Sequence, residues 1–132
     1  MAITANQVKE LREMNHGTEA IGKTTQWYND NQTPTSTYND RPFPGAESWR
    51  EFWERVSCCC DMISSDEADN IIIVSHGMTM SVWQFTWLGL DISDFVYVGH
   101  PGGVCFMQIN DMGRRLITRW NDTFYMKHKG VL

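Results

Sequence analysis

The run Ile72-Ile73-Val74-Ser75-His76-Gly77-Met78 limits the possible folds of this chain more than any other stretch. An unbroken apolar segment stops at Ser-His-Gly, and a second apolar stretch with helical spacing begins at once. A short apolar run without alternation suits a strand covered on both faces. The sequence therefore predicts a buried strand over 70–75 whose carboxyl end presents His76 beside the start of a helix. In α/β sheets ligands bind outside the carboxyl ends of strands, and the unpaired amides of a helix start attract anions. A histidine placed there either serves as phosphate ligand, nucleophile or acid–base group, or simply closes the strand.

With 132 residues the chain has room for one core and one domain. Its net charge of -5 argues against general nucleic-acid binding, which needs a basic face. No apolar run approaches the roughly 20 residues of a membrane span, and the first residues lack the basic-then-apolar pattern of a signal peptide. The expectation is a cytoplasmic protein with neither membrane nor nucleic acid as partner. Cys58, Cys59 and Cys60 are consecutive, and on a helix successive side chains diverge by about 100°, so they do not converge on one ion. These three and Cys105 read as small buried apolar residues in a reducing compartment. His16, His76 and His100 show no metal-ligand spacing, so neither metal nor cofactor is expected.

Elsewhere the pattern is mostly helical. A weakly helical stretch at Gln7–Leu11 precedes a loop carrying Gly17 and Gly22, and Thr24 or Thr25 caps a short helix through Trp27 and Tyr28. From Asn29 to Gly45 the chain is rich in Asn, Asp, Thr and Pro, and irregular segments of that length often act as lids. A strong helix starts at Glu47 or Ser48, with Trp49, Phe52, Trp53, Val56, Cys60 and Ile63 on one face and Ser64-Ser65-Asp66 at its end. A second, very apolar helix covers Met78 to Leu88, with Gly89 as C-cap. Val104–Asn110 and Arg114–Trp120 read as a hairpin about Asp111-Met112-Gly113, and Asn121–Leu132 as a loose polar tail. The order helix, strand, helix, strand, strand is short of strands for a covered α/β sheet.

Four pieces matter together: Leu11-Arg12-Glu13-x-x-x-Gly17, Gly45-Ala46-Glu47-Ser48 with Arg55, Val74-Ser75-His76-Gly77, and the hairpin ending in Trp120-Asn121-Asp122. In order and spacing this set resembles the histidine phosphatase (phosphoglycerate-mutase-like) superfamily, from about Leu11 to Asn121. The resemblance implies a hydrolase or phosphomutase lineage acting on small phosphorylated metabolites. It matches His76 to the family's second catalytic histidine, which binds and polarises the phosphoryl group. It matches Glu13 to the proton donor for the leaving oxygen. Gly77 is placed to offer a backbone N–H to phosphate, and Glu47 and Ser48 fall in the segment that borders the pocket. Phosphomonoester cleavage needs cationic donors around the transferring group and an acid for the departing oxygen, and His76 and Glu13 supply one of each.

One part of the family pattern is missing. The family carries the phosphoryl group on a different histidine, in an Arg-His-Gly motif at the end of its first strand, and no Arg-His-Gly occurs here. His16, His100 and His128 lack its neighbours. The resemblance is thus to the C-terminal half of the domain, and it implies a truncated layered α/β fold in which a buried strand and a hairpin are covered by helices. This chain alone is expected to be inactive or weakly active. The alternative is a non-catalytic phosphate-binding or scaffold protein. An unpaired strand edge carries buried polar groups that cost about 1–3 kcal/mol each. The sequence therefore predicts a homo-oligomer, most simply a dimer, or a partner that supplies the missing strand.

Overall fold

Local sequence signals set the helix ends. The elements are α1 (Thr25–Asn31), α2 (Trp49–Ser64), α3 (Gly77–Trp87), β1 (Val104–Ile109), β2 (Arg115–Asp122) and α4 (Phe124–His128), with single 3-10 turns at Lys9–Leu11 and Thr18–Ala20. The computed structural model describes residues 4–92, 97 and 99–128. Thr24 caps α1 by accepting the Trp27 amide at 3.1 Å. Ser48 and Glu51 form a reciprocal capping box at the start of α2, with bonds of 3.2 and 2.9 Å. At the end of α3 the chain turns through Gly89 at φ 73°, which lets Leu90 donate to the Phe85 carbonyl and Gly89 to that of Thr86, both at 2.9 Å.

The core lies between α2 and α3. Phe52, Trp53, Val56, Cys59 and Cys60 of α2 are buried, one turn after another, against Val82, Trp83, Phe85 and Trp87 of α3. Trp53 stacks on Phe85 with ring centroids 6.2 Å apart. Almost the whole circumference of α3 is covered, as befits a helix with no polar face. Ser81 accepts the Tyr97 amide at 2.9 Å, and Gln84 donates to Cys105 Sγ at 2.9 Å, while Gln84 Oε1 is buried without a partner among the described residues. The β1–β2 hairpin is antiparallel, pairing Met107 with Ile117 and Ile109 with Arg115. It docks through Met107 and Ile117, and Trp87 Nε1 donates to the Leu116 carbonyl at 3.1 Å. The chain thus mixes helices with a small antiparallel sheet, compatible with an α/β class.

Three expectations need correction. The segment 70–75 forms no strand: none of its backbone groups bonds to another described residue, and Ile72 and Val74 are 84% and 85% exposed. The described residues place no strand beside it and no layer over its outer face. Burial still alternates along it, with Ile73 packed on the core and Ser75 half-buried. Second, the polar tail is not loose where it is described. Asn121 and Asp122 extend β2, and Phe124–His128 is helical, with Met126 buried and Tyr125 donating to the Gly102 carbonyl at 2.6 Å. Residues 129–132, and 93–96 and 98 of the variable segment before the hairpin, lie outside the described residues. Third, the cysteines divide, because their helical step of about 100° turns them to different sides. Cys59 and Cys60 are buried, and Cys58 is exposed. Burial raises the Cys59 thiol and pushes that of Cys60 up to about 11, which keeps both protonated near neutrality. Among the described residues no helix is long and apolar enough to cross a membrane.

This packing separates two apolar positions that look alike in sequence. Val56→Ala, at a fully buried site, is expected to lower the free energy of unfolding by about 2 kcal/mol. Ile72→Ala is expected to change it by less than about 0.5 kcal/mol in dilute solution. Urea denaturation of both variants checks the contrast.

Candidate functional site

The strip Leu11–Asn15 lies across the starts of α2 and α3, and side chains rather than a β-ladder hold its backbone. Leu11 O accepts Ser75 Oγ at 2.6 Å. Arg12 O accepts Thr79 Oγ1 at 2.9 Å and Arg55 Nη1 at 3.1 Å. Asn15 O accepts the Glu47 amide at 2.8 Å. Gly17, at φ 84°, turns the chain where a Cβ would meet the Pro44 carbonyl at 3.1 Å. The strip is thereby set against the segment that leads into α2.

His76 and Glu13 come together at the start of α3. His76 is the N-cap residue, exposed, and its side chain makes no cap bond. Glu13 reaches the same helix end from 65 residues away: Oε2 accepts the Met78 amide at 3.1 Å, and Oε1 accepts the Thr79 amide at 3.2 Å and, at 3.1 Å, shares the one Thr79 hydroxyl hydrogen with the Arg12 carbonyl. A carboxylate belongs there, because a helix start carries partial positive charge and unpaired amides. The Gly77 amide has no partner among the described residues, and nothing lies within 4 Å of the position where a Cβ would be. An imidazole, a free amide and a carboxylate thus share one open helix start. Both Glu13 oxygens are acceptors in this arrangement.

Glu47 and Ser48 stand elsewhere. Ser48 is buried and serves as the N-cap of α2. Glu47 accepts Arg55 through both oxygens at 2.7 and 2.9 Å, Arg12 at 2.9 Å, and the Asn15 amide at 2.8 Å. Helical spacing alone would pair Arg55 with a carboxylate on its own helix. Glu47 precedes the helix cap, and only the turn into α2 folds it back onto Arg55. Burial alone would raise the Glu47 carboxyl. The Arg55 bond, the Asn15 amide and the charges of Arg55 and Arg12 outweigh burial and hold it below its ordinary range.

Beside the start of α3, an open cleft of about 670 Å³ is lined by Met14, Tyr28, Tyr38, Trp49, Arg50 and Met78, with the loop of residues 32–42 forming its far wall. The loop holds its own shape. Thr33 donates to Pro42 O at 2.9 Å, and Asp40 accepts the Ser36 and Thr37 amides, each at 2.7 Å, which lowers its carboxyl. Arg50 ties it to α2 through Asn39 Oδ1 at 2.8 Å. Tyr28 and Tyr38 therefore face the cleft, whereas Trp27 stacks on buried Phe43 at 5.6 Å. Arg50 is a cationic wall residue that helical periodicity assigns only to the outer face.

His16 meets the edge of Tyr28 at 5.1 Å, with Nδ1 buried and unpartnered among the described residues. His100 contacts its neighbour's carbonyl in an exposed turn. His128 lies in α4. No group of three His, Cys, Asp or Glu residues suited to a metal ion occurs among the described residues.

The Glu47 clamp sets a pH dependence. Because its folded carboxyl titrates below the ordinary 4.5, its contribution to stability is complete above that value and is lost as the pH falls beneath it. Glu47→Gln, which leaves Arg55 without its charge partner at a site where both side chains are 12% exposed, is expected to cost about 3 kcal/mol at neutral pH. It is also expected to flatten the acid limb of the stability curve. Urea denaturation across a pH series reads both effects.

Compared with known proteins, the chain matches the family model of the histidine phosphatase superfamily (branch 1) over residues 1–123. No curated protein and no solved structure matches it. That match spans the Glu13 strip, the α2 entry, the His76 helix start and the hairpin, and by it the chain belongs to branch 1 of the histidine phosphatase superfamily.

Proposed function

We propose that this protein binds small phosphorylated metabolites at the start of α3, with His76 and the Gly77 amide as phosphate ligands. We further propose that it corresponds to the C-terminal half of the family's catalytic domain. The observation that carries the reading is the open helix start itself: an exposed imidazole at the N-cap, a free amide one residue on, and Glu13 bound to the next two amides. A phosphate monoester carries charge on three oxygens and gains from N–H donors and from a helix dipole aimed at it. The neighbouring cleft, which Met78 joins to this helix start, offers Tyr28, Tyr38 and Trp49 to the organic part of the ligand, with Arg50 as a second cation.

The family's chemistry needs a nucleophile to accept the phosphoryl group and an acid for the leaving oxygen. In this reading Glu13 takes the second role. The Arg-His-Gly nucleophile does not occur in these 132 residues. Binding therefore outlasts turnover in this chain. The anion at Gly77 also sits beside the Glu13 carboxylate, and the two repel. A ligand phosphate is accommodated best when Glu13 carries a proton or is replaced by an amide.

Two measurements test this. Titration with inorganic phosphate, followed at the Gly77 and Met78 amides by NMR, is expected to saturate. His76→Ala is expected to weaken it about tenfold and Glu13→Gln to strengthen it. No shift at millimolar phosphate overturns the site. Hydrolysis of p-nitrophenyl phosphate is expected to stay at the buffer rate, and robust turnover abolished by His76→Ala overturns the binding-only reading.

A further inference from the structure

We propose that two copies of this chain pair edge to edge through the segment 70–75, antiparallel and centred on Ile73. The segment has the alternation of a strand without a neighbour. Ile73 packs on the core and Ser75 Oγ bonds to Leu11 O at 2.6 Å, while Ile72 and Val74 point away at 84% and 85% exposure. They are the two most exposed large apolar side chains among the described residues. The backbone N–H and C=O groups of 70–75 bond to no described residue, and a strand edge without partners is a template for pairing. The inward anchors at Ile73 and Ser75 already hold the segment in place, which lowers the entropy lost on pairing.

The sequence of this edge matches itself. A two-fold axis through an antiparallel pair sets residues of equal parity opposite each other, so each copy keeps its outward side chains on one shared face. Centred on Ile73, the register places Ile72 opposite Val74 of the second copy, and Asn70 opposite its His76. Cross-strand pairs of β-branched residues are favourable, and each copy contributes the same pair. The two ends of the segment also differ in charge. Asp66, Glu67 and Asp69 precede it, all exposed, and the start of α3 follows it, with exposed His76 and the free Gly77 amide. Antiparallel pairing brings the acidic end of one copy to the helix start of the other, twice. Parallel pairing sets acid against acid. Both the exposed stripe and the charge at its ends therefore select a second copy in the antiparallel sense.

This pairing meets the same helix start as the phosphate proposal, but it is read by mass and not by phosphate binding, so the two fail separately. Light scattering on the full chain is expected to rise with concentration from 15.3 kDa towards twice that value. The double variant Ile72→Lys, Val74→Lys sets lysine against lysine across the axis and is expected to be monomeric, with unchanged circular dichroism and a melting point that no longer depends on concentration. The double variant Ile72→Glu, Val74→Glu is expected to behave alike. Mixing the two is expected to restore a one-to-one dimer, because position 72 of each faces position 74 of the other. A wild-type chain that remains at 15.3 kDa throughout, or a dimer that survives in the lysine variant, overturns the surface. Charged variants that stay apart on mixing overturn the register. Amide exchange on the wild-type chain provides a check without substitutions: protection at residues 71–75 is expected to grow with concentration, and exchange independent of concentration overturns the pairing.

Discussion

Two carboxylates, Glu13 and Glu47, hold the starts of α2 and α3 on one strip of backbone, and the candidate site exists because of them. Core packing joins α2 and α3 further along their lengths, with Ser57 and Thr86 bonded across the contact at 2.8 Å. The strip Leu11–Asn15 bridges their starts. Glu47 binds it from the α2 side through Arg12, Arg55 and the Asn15 amide, and Glu13 leaves it to reach the first amides of α3. Arg55 adds a second tie through the Arg12 carbonyl. Charge-assisted bonds in a half-buried setting are strong enough to fix a segment that has no ladder of its own.

The same arrangement explains the exposure of the residues ahead of His76. A strand becomes buried only when neighbours pair with its edges and layers cover its faces. Here the strip on the inner side meets segment 70–75 through one side-chain bond, Ser75 to Leu11, and the only described ladder is the hairpin at the far end of α3. Ile73 reaches the core from one face, and the other face is left in water. His76 is accessible for the same reason. A histidine under a complete sheet edge would sit at the bottom of a cleft, whereas this one stands at an open helix start beside the cleft that Met78 joins.

Much of the local architecture was legible in the residues. The stripe from Trp49 to Ile63 predicted α2, with its start at Glu47 or Ser48. Gly89 marked the end of α3, and Asp111-Met112-Gly113 the hairpin turn. These signals are short-range: helical periodicity, capping and turn chemistry act within a few residues. The site was legible in part. His76 beside Gly77 at a helix start follows from the same local rules. The meeting of Glu13 with Met78 and Thr79 does not, because no spacing of 65 residues has a geometric meaning along the chain. Arg55 shows the same limit, since its partner precedes the helix and joins it only after the backbone has turned.

What the sequence determined by itself is where helices and the hairpin form and which of their faces are apolar, because propensity and periodicity are properties of neighbouring residues. What only the tertiary structure decided is which apolar run is covered and which carboxylate meets which helix end. Ile72 and Val56 are both aliphatic and β-branched, yet one lies in water and the other in the core. The difference is the presence of packing partners distant in sequence, and burial is a property of those partners as much as of the residue.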